Sequence, residues 1–376
     1  MDPKGPSMDD LRARRLAEVL IRYSLATRKG DRVLISAPVA AAPLVREVYR
    51  QVIQEGGHPT ARVGLDGLDS IALAGGDEGQ LRQLAELDRR EIEHVDVCLV
   101  ISAQDSVGRT VGVTPERMAI LAAARASVTR RCIERITEGE LRWCRTVMPT
   151  GAAAEQAGMS LPEYEDFVFR AGLLDNDDPV AAWKQLHDAQ QEIVDFLSKH
   201  DSVRIVAPGV DLNYRVAGRT WINGSGEYNF PDGEVFTGPI EDSVNGTIRF
   251  SYPAVYNGVR VEDVALRFHD GRVVDATAGA GEDFLMSMLS TDDGARYVGE
   301  VAFGLNYAVG RFTGNTLFDE KIGGTMHVAV GQSYPHTGGR NRSSIHWDMV
   351  TDLRDGEVYV DGELCYEKGR FTRARM

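Results

Sequence analysis

Cysteine is scarce and badly spaced for metal or redox work: the four present, Cys98, Cys132, Cys144 and Cys365, form no CxxC pair. That excludes a thiolate zinc module and a disulfide framework, and predicts reduced thiols in a cytoplasmic protein. No apolar run approaches the roughly 18 residues needed to span a bilayer. The opening MDPKGPSMDDLRARR also lacks the apolar core of a signal peptide. A soluble, unexported chain with no membrane partner is therefore expected. Positive charge is in deficit, with 42 Lys and Arg against 56 Asp and Glu and a formal charge of −14. Nucleic-acid binding needs clustered cations, so nucleic acid is not expected as a partner. The Gly-containing loops carry no GxGxxG or Walker pattern, which leaves a nucleotide site without support.

What remains is an ordinary globular composition, 43% hydrophobic and 26% charged over 376 residues, enough chain for two domains. LRARRLAEVLIRYSLA places Leu16, Val19, Leu20, Tyr23 and Leu25 at helical spacing and stops at KGD. GDRVLISAP reads as a buried strand, LVREVYRQVIQEGG as an amphipathic helix closed by Gly56 and Gly57, and TARVGL as the next strand. The rhythm continues with VDVCLVIS, a helix opening at Pro115, and RWCRTVMPT. This alternation predicts an α/β fold whose N-terminal part is a mostly parallel sheet flanked by helices. Two helical stretches, SLPEYEDFVFRAG and DPVAAWKQLHDAQQEIVDFLSKH, read as a bridge and complete a first domain over 1–200. Short strands with Gly, Asp and Asn turns then predict a β-rich α+β C-terminal domain over 201–376.

Chemistry concentrates in this second half. In SSIHWDMV a strand puts His346 and Asp348 on one face and Ile345, Trp347 and Met349 on the other. FDEKIGGTMHVAVG carries His327 on a strand, and its Gly323–Gly324 turn can return Glu320 toward it; a solvated DEK turn is the plainer alternative. PDGEVFTGP delivers Glu234 onto an apolar segment, where a lone charge needs a cation, a hydrogen-bond network or exposure. Glu300 in DGARYVGEVAFG follows a glycine in an apolar run, unless it lies on a helix surface paired to Arg296. The other histidines, His58, His94, His187, His200 and His269, lie at loops or among charges and read as surface or structural. Glu234, Glu300, Glu320, His327, His346 and Asp348 form an oxygen-rich, thiolate-free set. It suits two divalent ions such as Zn, Co or Mn sharing a carboxylate, whose chemistry is hydrolysis by an activated water.

PDGEVFTGP, EDSVNGTIRF, GARYVGE, LFDEKIGGTMHVAVG, SYPHTGGRNRSSIHWDM and VYVDGEL, in this order, resemble the thermophilic-type metallo-aminopeptidases of peptidase family M29. GDRVLI, GGHPTARV, GMSLPEYEDFV and DPVAAW extend the resemblance over nearly the whole chain. It implies that Glu234, Glu300, Glu320, His327, His346 and Asp348 bind two divalent metals. It further implies that Glu300 assists as general base and that Tyr334 stabilises the transition state. A peptide with a free N-terminus as substrate and a homodimer are likewise implied. One departure is His336 in SYPHTGG, where members commonly carry Glu: it is either a loop residue of no consequence or one that tunes substrate binding or supplies an extra ligand, and it bears on specificity more than on catalysis. Phe230, close to Glu234 in sequence, is expected to shape the nearby pocket.

Two other enzymes fit part of this set. A mononuclear non-heme iron ring-cleaving dioxygenase of dihydroxypyridine type needs two His and one carboxylate, which His327, His346 and Asp348 could supply, but it leaves Glu234, Glu300 and Glu320 without a role. An amide hydrolase acting on a non-peptide substrate would use the same chemistry. A binding protein that kept the fold without turnover would have lost ligand residues, and none is lost here.

Overall fold

The computed structural model describes residues 10–65, 67–83, 86–103 and 115–372; the first nine residues, part of the opening searched for an export signal, lie outside them. The chain forms two compact units, Met1–Val180 with Gly226–Phe230, and Ala181–Ser225 with Pro231–Met376.

The first unit is built on parallel pairing of strands His58–Gly64, Arg32–Pro38, Val97–Ser102, Arg142–Val147 and Asn229–Phe230, in that spatial order. Val33, Ile35, Val97 and Leu99 are buried, as strands covered by helices on both faces require. The helix Ala42–Gln54 ends where Gly56 takes a left-handed φ of 79°, the stop that the GG pair predicts. Ser160 and Glu163 close a capping box at the start of Leu161–Ala171. The first helix, expected to run through Leu25, instead passes from Asp10–Val19 into a π-helical turn, Leu20–Ser24. Phe230 is 1% exposed and pairs with Thr146 in this sheet. It is a core residue of the first unit.

The second unit contains an eight-stranded antiparallel sheet and a five-stranded one, joined through a shared apolar core. Val203, Ile205, Leu212, Ile248 and Leu266 come from the first sheet, and Val235, Val301, Phe303, Met326, Val328, Trp347 and Met349 from the second. Helix Pro179–Leu197, read as a bridge ending the first domain, sends Ile193 and Leu197 into this same core. The compact units accordingly divide at 180/181 rather than 200/201. Among the described residues, no helix is long and apolar enough to cross a membrane.

Period-two alternation is what creates the site. In the five-stranded sheet, the strands His346–Asp352, Thr325–Gly331, Val298–Gly304, Glu234–Thr237 and Ile222–Gly224 lie side by side. Once Val235, Val301, Met326, Val328, Trp347 and Met349 face the core, Glu234, Glu300, His327, His346 and Asp348 share the other face. Ala302 is registered with His327 and Ala329 with Asp348, so small side chains leave room for the larger polar ones.

Candidate metal centre

Glu300 owes its aim to a bulge: the pairing of Val298–Gly304 with Thr325–Gly331 shifts register between Val298 and Glu300. The residue inside the bulge, Gly299, has no room for a side chain, because a Cβ there would meet the Gln332 carbonyl oxygen at 2.3 Å and that of Gly331 at 2.6 Å. Gly299→Ala is expected to cost about 1–3 kcal/mol in a urea unfolding midpoint, through backbone displacement at a packed site. It should also reduce turnover by moving Glu300. A wild-type midpoint and rate would contradict this role for the glycine. The option of Glu300 as a helix-surface residue paired to Arg296 is corrected: it lies on a strand and is 4% exposed.

His327 Nε2 lies 3.4 Å from Glu300 Oε1, 3.7 Å from Glu234 Oε2 and 3.9 Å from Asp348 Oδ1. His346 Nε2 lies 3.4 Å from Glu300 Oε2 and 3.4 Å from Asp348 Oδ1. On its other nitrogen, His346 Nδ1 meets the Gln332 carbonyl oxygen at 2.7 Å, an arrangement that leaves Nε2 facing the carboxylates. The potential donor atoms fall into two triads, Glu234–Glu300–His327 and Glu300–His346–Asp348, with Glu300 common to both. Glu320 lies outside both triads, but it accepts from Lys321 Nζ at 2.8 Å and feels the negative charges of Asp348 and Glu234.

The solvated reading of Asp319, Glu320 and Lys321 is overturned. Asp319 is buried, accepting from the Thr313 backbone at 2.7 Å and its hydroxyl at 2.9 Å, and Lys321 is 1% exposed. Lys321 Nζ donates to Glu234 Oε1 at 2.5 Å and stands 3.8 Å from Asp232 Oδ1. Lys321 and Asp232 are the two site residues that sequence reading missed. The available signal was the spacing of Phe318 and Ile322, both fully buried, which carries the intervening charges inward with them.

Electrostatically the cluster is tightly balanced. Burial raises the Glu300 carboxyl, but hydrogen bonds from His327 and His346 outweigh it and leave the group below its ordinary value. Burial likewise opposes ionisation of Asp348, and the adjacent His346 overcomes it, holding the carboxyl well below the usual range. Burial dominates at Glu320 and pushes it well above its ordinary value. For His327, burial favours the neutral ring, yet the Glu300 hydrogen bond with Glu234 and Glu320 lifts it to about 9. Burial disfavours the Lys321 charge, but Glu234, Glu320 and Asp232 more than compensate and hold it well above the ordinary lysine value.

The residues fit a divalent metal. Glu234 Oε2 and Asp348 Oδ1 are buried without a hydrogen-bond partner, a state that costs about 1–3 kcal/mol per group unless something else is bound. Both belong to a mixed imidazole and carboxylate donor set of the kind that Zn, Co and Mn accept.

At the edge of the site, Tyr334 packs on His346 with ring centroids 4.9 Å apart, and His336 lies 5.4 Å from Tyr334 and 6.1 Å from Phe236. Tyr334 is 40% exposed; partial burial and repulsion from Glu300, Asp348 and Glu320 raise its pKa against the opposing pull of His346 and keep the phenol protonated. The five other histidines stay out of the cluster: His187 meets Ser225 Oγ at 2.8 Å and His200 meets Asp361 Oδ2 at 3.0 Å, for example.

A sheet face that gathers carboxylates and imidazoles around one shared glutamate has the donor set of a metalloenzyme. Comparison with known proteins makes it specific: the thermophilic metalloprotease family M29 matches residues 9–371. The chain belongs to this family, and with it to the metal-dependent aminopeptidases. It is 30% identical to Aminopeptidase 2 of Geobacillus stearothermophilus over 373 residues, covering 92% of this chain and 89% of that one. With Aminopeptidase T of Thermus thermophilus it shares 31% identity over 405 residues, 95% of each. The solved wild-type AmpT from Thermus thermophilus superposes with a TM-score of 0.82 at 29% identity, covering 96% of this chain and 99% of that one. 2,5-Dihydroxypyridine dioxygenase from Pseudomonas putida superposes with a TM-score of 0.63 at 14% identity over 98% and 99%, a likeness of fold alone.

Proposed function

We propose that this metallo-aminopeptidase works with two divalent ions, Zn, Co or Mn, and releases the first residue from peptides with a free N-terminus. The observation that carries the reading is the sharing of Glu300 by two donor triads, one completed by Glu234 and His327 and the other by His346 and Asp348; Glu320 is tied to Glu234 through Lys321. When bound, such ions lower the pKa of a shared water toward roughly 7 and polarise a carbonyl. The chain's own groups do the rest. Glu300, buried and kept ionised by His327 and His346, accepts the proton of the attacking water and returns it to the leaving amine. Tyr334, held protonated, donates to the oxyanion as it develops. Four cysteines with no CxxC spacing agree with a cytoplasmic setting, and a homodimer is proposed as the assembled form.

Tyr334→Phe is expected to lower kcat by about 10²-fold while leaving metal content and fold unchanged. An equal loss expressed only in KM would place the hydroxyl in substrate binding instead. The activity itself is tested with leucyl-p-nitroanilide and its N-acetylated form after metal reconstitution. Hydrolysis confined to the free amine is expected, and equal rates on both would contradict an exopeptidase. The ring-cleaving alternative has no place for Glu234 beside Glu300 in one donor triad with Lys321 held on Glu234; turnover of dihydroxypyridine with iron and oxygen would reinstate it.

A further inference from the structure

We propose that Lys321 is a positioning residue that clamps one oxygen of Glu234 and one of Glu320, so that each carboxylate meets metal through its remaining oxygen only. The inference rests on the metal reading of the site. Lys321 Nζ donates to Glu234 Oε1 at 2.5 Å and to Glu320 Oε2 at 2.8 Å, with Asp232 Oδ1 at 3.8 Å. An ammonium has three donors, and these three carboxylates are what it faces. Glu234 Oε2 is left buried with no partner, 3.7 Å from His327 Nε2.

The backbone around the clamp is tied as firmly as the side chains. Asn306 donates its backbone N–H to the Lys321 carbonyl at 3.0 Å and its side-chain amide to the Asp232 carbonyl at 2.7 Å. Gln190 Nε2 holds the Glu234 carbonyl at 3.0 Å. A fully buried ammonium carries a desolvation cost that a methionine of similar length would avoid, so packing alone gives no reason for lysine. One consequence does. A carboxylate that binds through one oxygen leaves coordination positions for water and substrate, which a catalytic metal requires.

Lys321→Met in the full chain, loaded with cobalt, tests the clamp. Cobalt content is expected to match that of the unsubstituted protein. Its visible absorption should fall by about half or more, as freed carboxylates bind through both oxygens and coordination number rises. The kcat on leucyl-p-nitroanilide should fall by about 10–100-fold, the usual penalty for losing a group that orients a ligand. An unchanged spectrum and rate would overturn the proposal, even in a less stable variant. If Lys321→Met does not fold, the metal-loaded crystal structure of the unsubstituted chain decides. One oxygen each from Glu234 and Glu320 on metal, with the others on Lys321, supports the clamp; bidentate ligation by either, or Lys321 withdrawn, overturns it. An unsubstituted chain that takes up no cobalt overturns the metal reading, and this proposal with it.

Discussion

Glu300→Gln should leave a folded protein whose peptide hydrolysis is reduced by about 10³-fold or more, within the range that loss of a positioned general base produces. The amide has the volume of the acid, so the core face of its strand, Val301 and Phe303, is undisturbed. What changes is chemistry. Gln can neither accept a proton at neutral pH nor supply an anionic bridge between the two triads that Glu300 joins. His327 and His346 each lose a carboxylate partner at 3.4 Å, so metal affinity should also weaken. Titrating the variant with metal while following turnover separates the two effects: if saturation restores the rate, Glu300 is only a ligand. Unchanged turnover at every metal concentration would remove it from the mechanism.

The second large effect is removal of metal. Chelation should abolish turnover, and rebinding at 1,000 times Kd should stabilise the chain by about 4 kcal/mol, roughly 10 °C in melting temperature. That gain depends on pH in a predictable sense. The His327 ring is raised from 6.5 to about 9 in the metal-free chain by its carboxylate neighbours, against the effect of burial. Its charged form therefore contributes stability that is complete below pH 6.5 and is lost as pH rises through about 9. A metal ligand must be the neutral ring, so metal competes with this proton and binds better across the same interval. His346 is raised in the same direction by Asp348 and Glu300, again against burial. The metal-induced rise in melting temperature should accordingly be larger at pH 9 than at pH 6.5, with protons released on binding. A shift that is flat or reversed across this window would contradict the assignment of these imidazoles as ligands.

These effects depend on groups that sequence alone located unevenly. Strand alternation was enough to pair His346 with Asp348 and to bury Trp347 and Met349 opposite them, because a period of two leaves no other arrangement once one face is apolar. Glu300 was ambiguous between strand and helix, since a single carboxylate in an apolar run fits either; the bulge at Gly299 that resolves it depends on the partner strand. Lys321 was hidden for a different reason. DEK is ordinarily a solvated turn, and only the burial of Phe318 and Ile322 on either side turns it inward. The strand Asn229–Phe230 was illegible because two residues carry no periodicity, and its partner Arg142–Val147 lies more than 80 positions earlier. The helix Pro179–Leu197 was legible as a helix, but its unit is decided by where Ile193 and Leu197 pack.

The measurement that bears most directly on the central claim is metal content by elemental mass spectrometry, taken alongside hydrolysis of leucyl-p-nitroanilide after reconstitution with Co, Zn, Mn or Fe. The two triads sharing Glu300 predict about two ions per chain at saturation, as a dinuclear hydrolase requires, with activity that rises with occupancy and disappears on chelation. One iron per chain with no hydrolysis would contradict it and return the site to oxygen chemistry.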